Sequence, residues 1–385
     1  MLTQGATPLL NRAEPSPNEM RRGSLTDLAQ RLERLRDTTR DVVVSTDQVR
    51  MTDGGELAIP TVGTLPATTH AHSQIAEKAG IPQRFYDRLR TDFPGLLAEN
   101  VNHLFPAGSD RRLIRTADGA VRAVLSDRYR SLDSYDLALK VAERAIRRKA
   151  NVVEASLSET RMSIRVTLPD AREKVGELTT AVRAAYAGNT HSDVARRQVN
   201  AMALDADYVI PGLLVTNSDV GAGAFRVEPY VYRLVCANGL VGEYSLKQIH
   251  IGERLELGEV VYSDHTRSLA DQALWARVGD VIDATFRPES FRSMLAKLRD
   301  AKTVALPRVV PALDVVSRDL ALSADRRAQL LSYFAIEGPD LYGLTQAVTR
   351  IAQDEASADT QTEIERYAGE LLTAPGRVLE VAQTA

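Results

Sequence analysis

Four leucines near the start of the chain repeat at the spacing of one helical face. They are Leu25, Leu28, Leu32 and Leu35. Ser24 precedes them at the position of an N-cap, so the pattern predicts an amphipathic helix. The preceding residues 1–23 are polar, contain three prolines and show no period. We therefore expect residues 1–23 to form a flexible tail.

Residues 24–106 continue with mostly helical spacing. After a valine-rich strand and a second short strand, apolar residues recur every three or four positions between residues 68 and 105, and Gly80 and Pro94 stand at helix boundaries. This part of the chain is therefore predicted to contain an N-terminal helix, a short hairpin and a small helical subdomain.

Strand spacing dominates residues 107–265. The predicted elements are a hairpin over 111–125, a helix over 133–149, a hairpin over 152–168, and strands over 209–216 and 225–236. Pro229 within the last strand indicates an edge position or a bulge. Because strands and helices occur in runs, we predict an α+β fold. Its central sheet is expected to be largely antiparallel and to contain a strand–strand–helix–strand–strand unit.

Helical spacing returns in residues 266–385, which we interpret as a C-terminal helical region. The predicted fold is thus a central α+β domain flanked by an N-terminal helical subdomain and C-terminal helices.

Composition excludes several classes of protein. The chain has 385 residues, of which 44% are hydrophobic and 26% charged, as in ordinary globular proteins. One cysteine, Cys236, excludes an internal disulfide framework and a cysteine-based zinc site. No apolar run is long enough for a membrane span, and no signal-peptide pattern is present, so we expect a cytoplasmic location. No phosphate-loop, zinc-protease or serine-hydrolase motif occurs, and we assign no catalytic, cofactor-binding or metal-binding residue.

Charge is distributed unevenly along the chain. The net charge is only -3, but residues 108–165 hold thirteen basic and eight acidic residues, whereas residues 351–385 hold two basic and seven acidic ones. A basic sheet-and-helix unit can follow a phosphate backbone, and a tyrosine can stack on a base. We therefore predict a non-enzymatic protein that binds single-stranded DNA and forms homo-oligomers. The predicted contacts are Arg111, Arg112, Arg115, Arg122, Arg128, Tyr129 and Arg130.

Two alternatives remain open. In the first, the acidic C-terminal helices of one copy meet the basic unit of another, which makes the protein an interaction module without DNA binding. In the second, the protein is an enzyme whose site combines turn residues from distant parts of the chain. The residues of that site would be Asp127, Arg128, Asn217, Arg233 and Asn238.

Five segments together resemble a known family. They read AGIPQRFYDRL, LLAENVNHLF, AVLSDRYRSLDSYDL, NSDVGAGAFRVEPYVYRLVCANGLV and LYGLTQAVTRIAQD. Their order and spacing are similar to those of the phage/plasmid-like family called domain of unknown function 932, over roughly residues 65–372. The most specific parts are Ser126–Tyr129, Asn217–Gly221 and Arg233–Gly239.

The resemblance implies a cytoplasmic protein of mobile DNA that acts in replication, recombination or host conflict. It implies no particular activity, cofactor or catalytic residue. The strand–strand–helix–strand–strand order is also similar to that of single-strand annealing proteins, which assemble into rings, although this likeness is at the level of fold alone.

Overall fold

The computed structural model describes most of the chain. The described residues are 20–108, 111–127, 129, 132–186, 206–236, 238–242 and 264–383. They form a mixed α+β fold with antiparallel sheets, which confirms the predicted fold class. Most of the predicted tail lies outside these residues. Its last four, Met20–Gly23, form strand β1, because the Met20 side chain is buried in the core.

Helix α1 (Leu25–Thr38) begins at the predicted N-cap. The Ser24 hydroxyl accepts a hydrogen bond from the backbone N–H of Asp27 at 3.1 Å, and the Asp27 carboxylate accepts one from the Ser24 N–H at 3.1 Å. This reciprocal pair satisfies two backbone donors that the helix leaves unpaired. Leu28, Leu32 and Leu35 are buried, so the apolar face that the sequence predicts is the face that packs inward.

Residues 40–126 fold around a core of their own, and we call them the N-terminal module. Its strands are β2 (Arg40–Ser45), β3 (Arg50–Met51), β4 (Leu57–Ile59), β5 (Gly63–Leu65), β6 (Arg111–Ala117) and β7 (Ala120–Ser126). Its helices are α2 (Thr69–Lys78), α3 (Gln83–Asp92) and α4 (Pro94–Leu104). Strands β2, β6 and β7 form one three-stranded sheet, and β3, β4 and β5 form another.

The predicted hairpin β6–β7 closes at Asp118 and Gly119. Both residues have positive φ, 50° and 73°. A two-residue turn of this kind matches the twist of the flanking strands, and Asp-Gly is a favoured sequence for it.

The larger sheet lies outside the module. Its further strands are β8 (Asn151–Leu157), β9 (Met162–Thr167), β10 (Glu173–Gly176), β11 (Asp207–Asn217), β12 (Arg226–Arg233) and β13 (Asn238–Val241). The order is β1-β8-β9-β11-β12-β13, and β10 also pairs with β11. Pro229 lies just outside the part of β12 that pairs with β13, so its missing N–H removes no hydrogen bond from that ladder.

The two hairpins of the predicted five-element unit lie in different sheets. Helix α5 (Ser134–Arg147) separates them as expected, but β6–β7 pairs with β2 whereas β8–β9 belongs to the larger sheet. Strand order along the chain does not reveal this, because β2 comes far earlier in the sequence. Ile114, Val121 and Val124 therefore share a core with residues 40–106, while Ala123 and Leu125 pack against Val220 of the turn after β11.

Helices cover both faces of the larger sheet. Along β11, Leu213 and Val215 point to the face covered by α1, α5 and α7 (Asp264–Thr285), and Ile210 and Leu214 point to the opposite face. Helix α6 (Thr180–Tyr186) follows β10 in the chain. The other C-terminal helices are α8 (Pro288–Ala301), α9 (Val309–Asp319), α10 (Ala324–Glu337), α11 (Leu341–Gln353), α12 (Ala358–Thr373) and α13 (Gly376–Gln383). No helix in the described part of the chain combines the length and apolar character needed to cross a membrane.

Helix α12 lies close against the larger sheet. A Cβ atom at Gly369 would stand 1.8 Å from the carbonyl oxygen of Val241, so only glycine permits this approach. One turn away, the contact contains a buried charge. Arg165 of β9 is 1% exposed and donates to Glu154 at 2.9 Å, to Glu365 at 2.7 Å and to Thr362 at 3.0 Å. These partners make the burial of a guanidinium group tolerable.

Replacing one partner of Arg165 should destabilise the whole fold. In Glu365→Leu the guanidinium keeps Glu154 but loses its most deeply buried acid, and we expect the free energy of unfolding to fall by about 3 kcal/mol. Urea denaturation measures the change. The matched control, Glu143→Leu, removes an exposed acid on α5 and should be close to neutral. Equal effects of the two substitutions would contradict the importance of the buried pair.

A buried histidine links α2 to α3 in the N-terminal module. The Nδ1 of His72 lies 2.8 Å from the Tyr86 hydroxyl, and both side chains are buried. Burial, together with the nearby charge of Arg90 and against the opposing effect of Asp87, lowers the pKa of His72 from 6.5 to about 4. The folded protein therefore holds this histidine neutral at pH values where the unfolded chain is protonated.

The N-terminal module should lose stability as the pH falls from 6.5 to 4. In that range the unfolded chain gains a proton at His72 that the folded chain does not, which amounts to about 3 kcal/mol at the lower limit. Urea denaturation at pH 7 and pH 4.5 tests this for the natural chain and for His72→Gln. The variant should show a smaller loss on acidification, and an identical loss would refute the assignment.

Candidate nucleic-acid interface

The four described arginines of the β6–β7 hairpin differ sharply in exposure. Arg111 is exposed and Arg112 is half-buried, whereas Arg115 and Arg122 are buried. The sequence predicts the strand but not this difference, because it depends on what packs against each face of the hairpin.

Arg115 and Arg122 bind acceptors inside the protein. Arg115 donates twice to the Asp41 carboxylate, at 2.8 and 2.6 Å, and once to the backbone carbonyl of Asp219 at 2.5 Å. Arg122 donates to the Asp219 carboxylate at 3.5 Å and to the Glu159 carbonyl at 3.2 Å. The two arginines thus fasten the N-terminal module to the turns of the larger sheet.

The turn at residues 217–221 receives contacts from several parts of the module. Tyr129 donates its hydroxyl proton to the Ser218 carbonyl at 3.1 Å, and Gln74 donates to the Val220 carbonyl at 2.9 Å. The Nε2 of His70 lies 2.9 Å from the same carbonyl. Two segments that the sequence analysis singles out separately, Ser126–Tyr129 and Asn217–Gly221, therefore meet in space.

These contacts change the predicted set of DNA contacts. Tyr129 packs against Leu125 and Val220, and burial raises the pKa of its hydroxyl. Its ring is thus part of the protein's own packing. Arg115 and Arg122 are buried and bind acceptors inside the protein, so the proposal made below does not use them as phosphate contacts. Arg128 and Arg130 lie outside the described residues.

The acidic and basic regions of the chain meet within one molecule. Arg161, in the β8–β9 turn, binds Glu363 of α12 at 2.6 Å, and the hydroxyls of Ser158 and Thr160 donate to Asp359 at 2.8 and 2.6 Å. Together with the pair of Arg165 and Glu365 described above, this contact pairs two of the thirteen basic residues of 108–165 with acids of α12. The acids at the start of α12, which the interaction-module hypothesis assigns to a second copy, already have partners in the same chain.

Two residues of the enzyme hypothesis, Asn217 and Arg233, lie far apart, although Arg233 pairs in register with Asn238. Asn217 stands at one end of β11, while Arg233 pairs with Val209 near the other end, about 26 Å away at the usual rise of a strand. Arg233 is buried and binds Asp207 at 2.8 and 3.0 Å and Glu337 at 2.8 Å. Asn217 is also buried and donates to the Leu132 carbonyl at 2.8 Å. Asn217 and Arg233 therefore hold the fold together in two different places, and the enzyme hypothesis stays a prediction.

A small group of cations lies at the open end of the hairpin, where β6 begins and β7 ends. Arg111 and Arg112 belong to the predicted set, and Arg112 pairs in register with Ser126. Lys78, the last residue of α2, is the member that sequence reasoning missed. Burial lowers the pKa of Lys78, and the charge of Arg112 lowers it further, against the opposing effect of Glu77. The sequence around Lys78 does not indicate that the end of α2 lies at the same end of the hairpin as the arginines of β6.

Comparison with protein-family models, curated proteins and solved structures finds no match to this chain. The resemblance to the domain of unknown function 932 family therefore stays a prediction from the sequence. The arrangement at the open end of the hairpin is the feature from which a function can be argued.

Neighbouring arginines on β6 should respond differently to removal. Arg115→Ala leaves Asp41 and the Asp219 carbonyl without their donor, and we expect a loss of about 2 kcal/mol in the free energy of unfolding, since Asp41 is partly hydrated. Arg111→Ala, the matched control on the same strand, should leave stability unchanged. Urea denaturation of both variants measures this, and comparable losses would contradict the structural role given to Arg115.

Proposed function

We propose that this protein binds single-stranded DNA without sequence preference at the open end of the β6–β7 hairpin. The observation that carries the proposal is the placement of cations at this end: Arg111 is exposed and Arg112 half-buried where β6 begins. Helix α2 runs along β7, since the Thr68 N–H donates to the Val121 carbonyl at 2.9 Å and Gln74 accepts from the Val124 N–H at 2.7 Å. Its last residue, Lys78, therefore lies towards the same end.

Glu77 and Asp127 adjoin Lys78 and Ser126 in the sequence, so three described cations outnumber two acids here, and the excess positive charge attracts an anion. Phosphate oxygens are suited to this position because lysine and arginine are their usual partners.

The sequence analysis contributes two further candidate contacts, which follow β7 in the chain and lie outside the described residues. Ser126, which pairs with Arg112, is followed two residues later by Arg128 and then by Arg130. Lys78, Arg111, Arg112, Arg128 and Arg130 make five candidate phosphate contacts. A cluster of this size predicts weak binding that depends on salt and is insensitive to sequence, with a slope of about -3.5 in a plot of log affinity against log salt concentration.

The setting implied by the family resemblance agrees with this activity. Proteins of mobile DNA that act in replication or recombination meet single strands, and annealing of complementary strands is the specific activity that we would assay first. Assembly into homo-oligomers belongs to the same proposal, because several weak sites on one assembly add avidity along a strand.

Fluorescence anisotropy with a labelled single-stranded oligonucleotide, across a salt series, tests the proposal. We expect Lys78→Ala/Arg112→Ala and Arg128→Ala/Arg130→Ala each to weaken binding about tenfold at low salt and to reduce the salt slope by about 1.4, since each variant removes two contacts.

The control Arg147→Ala/Arg377→Ala changes the net charge by the same amount with two exposed arginines elsewhere. It should bind as the natural chain does. An equal effect of the control, or no binding by the natural chain even at low salt, would overturn the proposal.

A further inference from the structure

A cavity of about 310 Å³ opens on the larger sheet, far along the chain from the hairpin cluster. It lies where α7 ends and α8 begins, next to Phe286 and Pro288. On one side of this point α7 packs on the sheet with α1 and α5, and on the other side α8 packs on Val209 and Val231. The two helical layers separate here and leave part of the sheet uncovered.

The floor of the cavity consists of compact residues from neighbouring strands. Pro211 of β11 and Pro229 of β12 line it together with Gly212. By strand alternation the two prolines lie on the same face as Leu213 and Val231, which helices cover on either side. Because the two proline side chains are short and rigid, they do not fill the space between the sheet and the helices, and the cavity remains open.

The walls of the cavity are apolar. Phe286, Phe291 and Met294 contribute aromatic and thioether surface, and Val231 contributes an aliphatic side. The volume is at the lower end of the range of ordinary small-molecule pockets, and apolar walls with a few polar groups at the mouth are typical of such sites. A bound molecule of this size would lose most of its apolar surface to these walls.

The mouth of the cavity is rich in guanidinium groups. Arg172, Arg287 and Arg292 line it, against the carboxylates of Asp170 and Glu173. Glu173 lies 3.7 Å from Arg299, and Glu289 lies 3.9 Å from Arg292 in an exposed pair that a bound carboxylate would replace. Guanidinium groups bind carboxylates with two parallel hydrogen bonds, and their positions at the mouth suit the charged end of a ligand whose apolar end lies inside.

We propose that this cavity is a binding site for a small amphipathic carboxylate. The hydrocarbon part would lie between Phe286, Phe291 and Met294, and the carboxylate would bind Arg287 and Arg292 at the mouth. The site is independent of the proposed DNA contacts, because no residue is shared between the two.

Isothermal titration calorimetry with decanoate, below the concentration at which it forms micelles, tests the proposal. Decanol, which has the same apolar chain without the charge, is the matched ligand. We expect saturable binding of decanoate at one site per chain and binding at least tenfold weaker for decanol, since only decanoate gains charge-assisted hydrogen bonds.

Two variants with equal charge changes complete the experiment. Arg287→Glu/Arg292→Glu alters exposed side chains at the mouth and should reduce decanoate affinity more than tenfold, while Arg147→Glu/Arg377→Glu should not. Absence of decanoate binding, or equal binding of decanol with no effect of the first variant, would overturn the proposal. Unchanged DNA binding by both variants would show that the carboxylate site and the DNA contacts are independent of each other.

Discussion

The guanidinium group of Arg165 lies in the interior of the protein, and the C-terminal helices are arranged around it. A charge at that depth is tolerable only if carboxylates reach it, and one of them, Glu365, comes from a helix two hundred residues later in the chain. The contact therefore fixes where α12 docks on the larger sheet. The close approach at Gly369 and the neighbouring pair of Arg366 with Glu228 at 2.6 Å depend on the same docking.

This arrangement explains why charge counting along the sequence overstated the exposed basic surface. The net charge of a segment counts every charged residue in it, whereas a ligand contacts only the charged side chains that are exposed in the folded protein. Arg161 and Arg165 face α12, Arg115 faces Asp41, and Arg148 binds Asp283 at 3.1 Å. Among the described residues, the cluster proposed for an anionic partner is therefore small, and one member, Lys78, comes from a helix outside the basic segment.

Local features of the fold were predictable and distant pairings were not. The Ser24 cap and the Asp118–Gly119 turn follow from residues within a few positions of each other, so the sequence alone identifies them. The burial of Arg115 depends on a strand that lies some seventy residues earlier, and that of Arg165 on a helix at the other end of the chain. Strand alternation is compatible with either Arg115 or Arg165 being exposed, and the tertiary partner determines whether each side chain is buried.

The path of the chain through the N-terminal module has a consequence for how such a protein could arise. Helices α1 and α5 both pack on the larger sheet, and the module is threaded between them with its own separate core. Thr39, just before the module, and Asp133, just after it, line the same small cavity, so the points of entry and exit are neighbours. The module therefore has the topology of a domain insertion. A short loop could join α1 to α5 in its absence, and a related chain could carry a different insert at the same point without disturbing the sheet beneath.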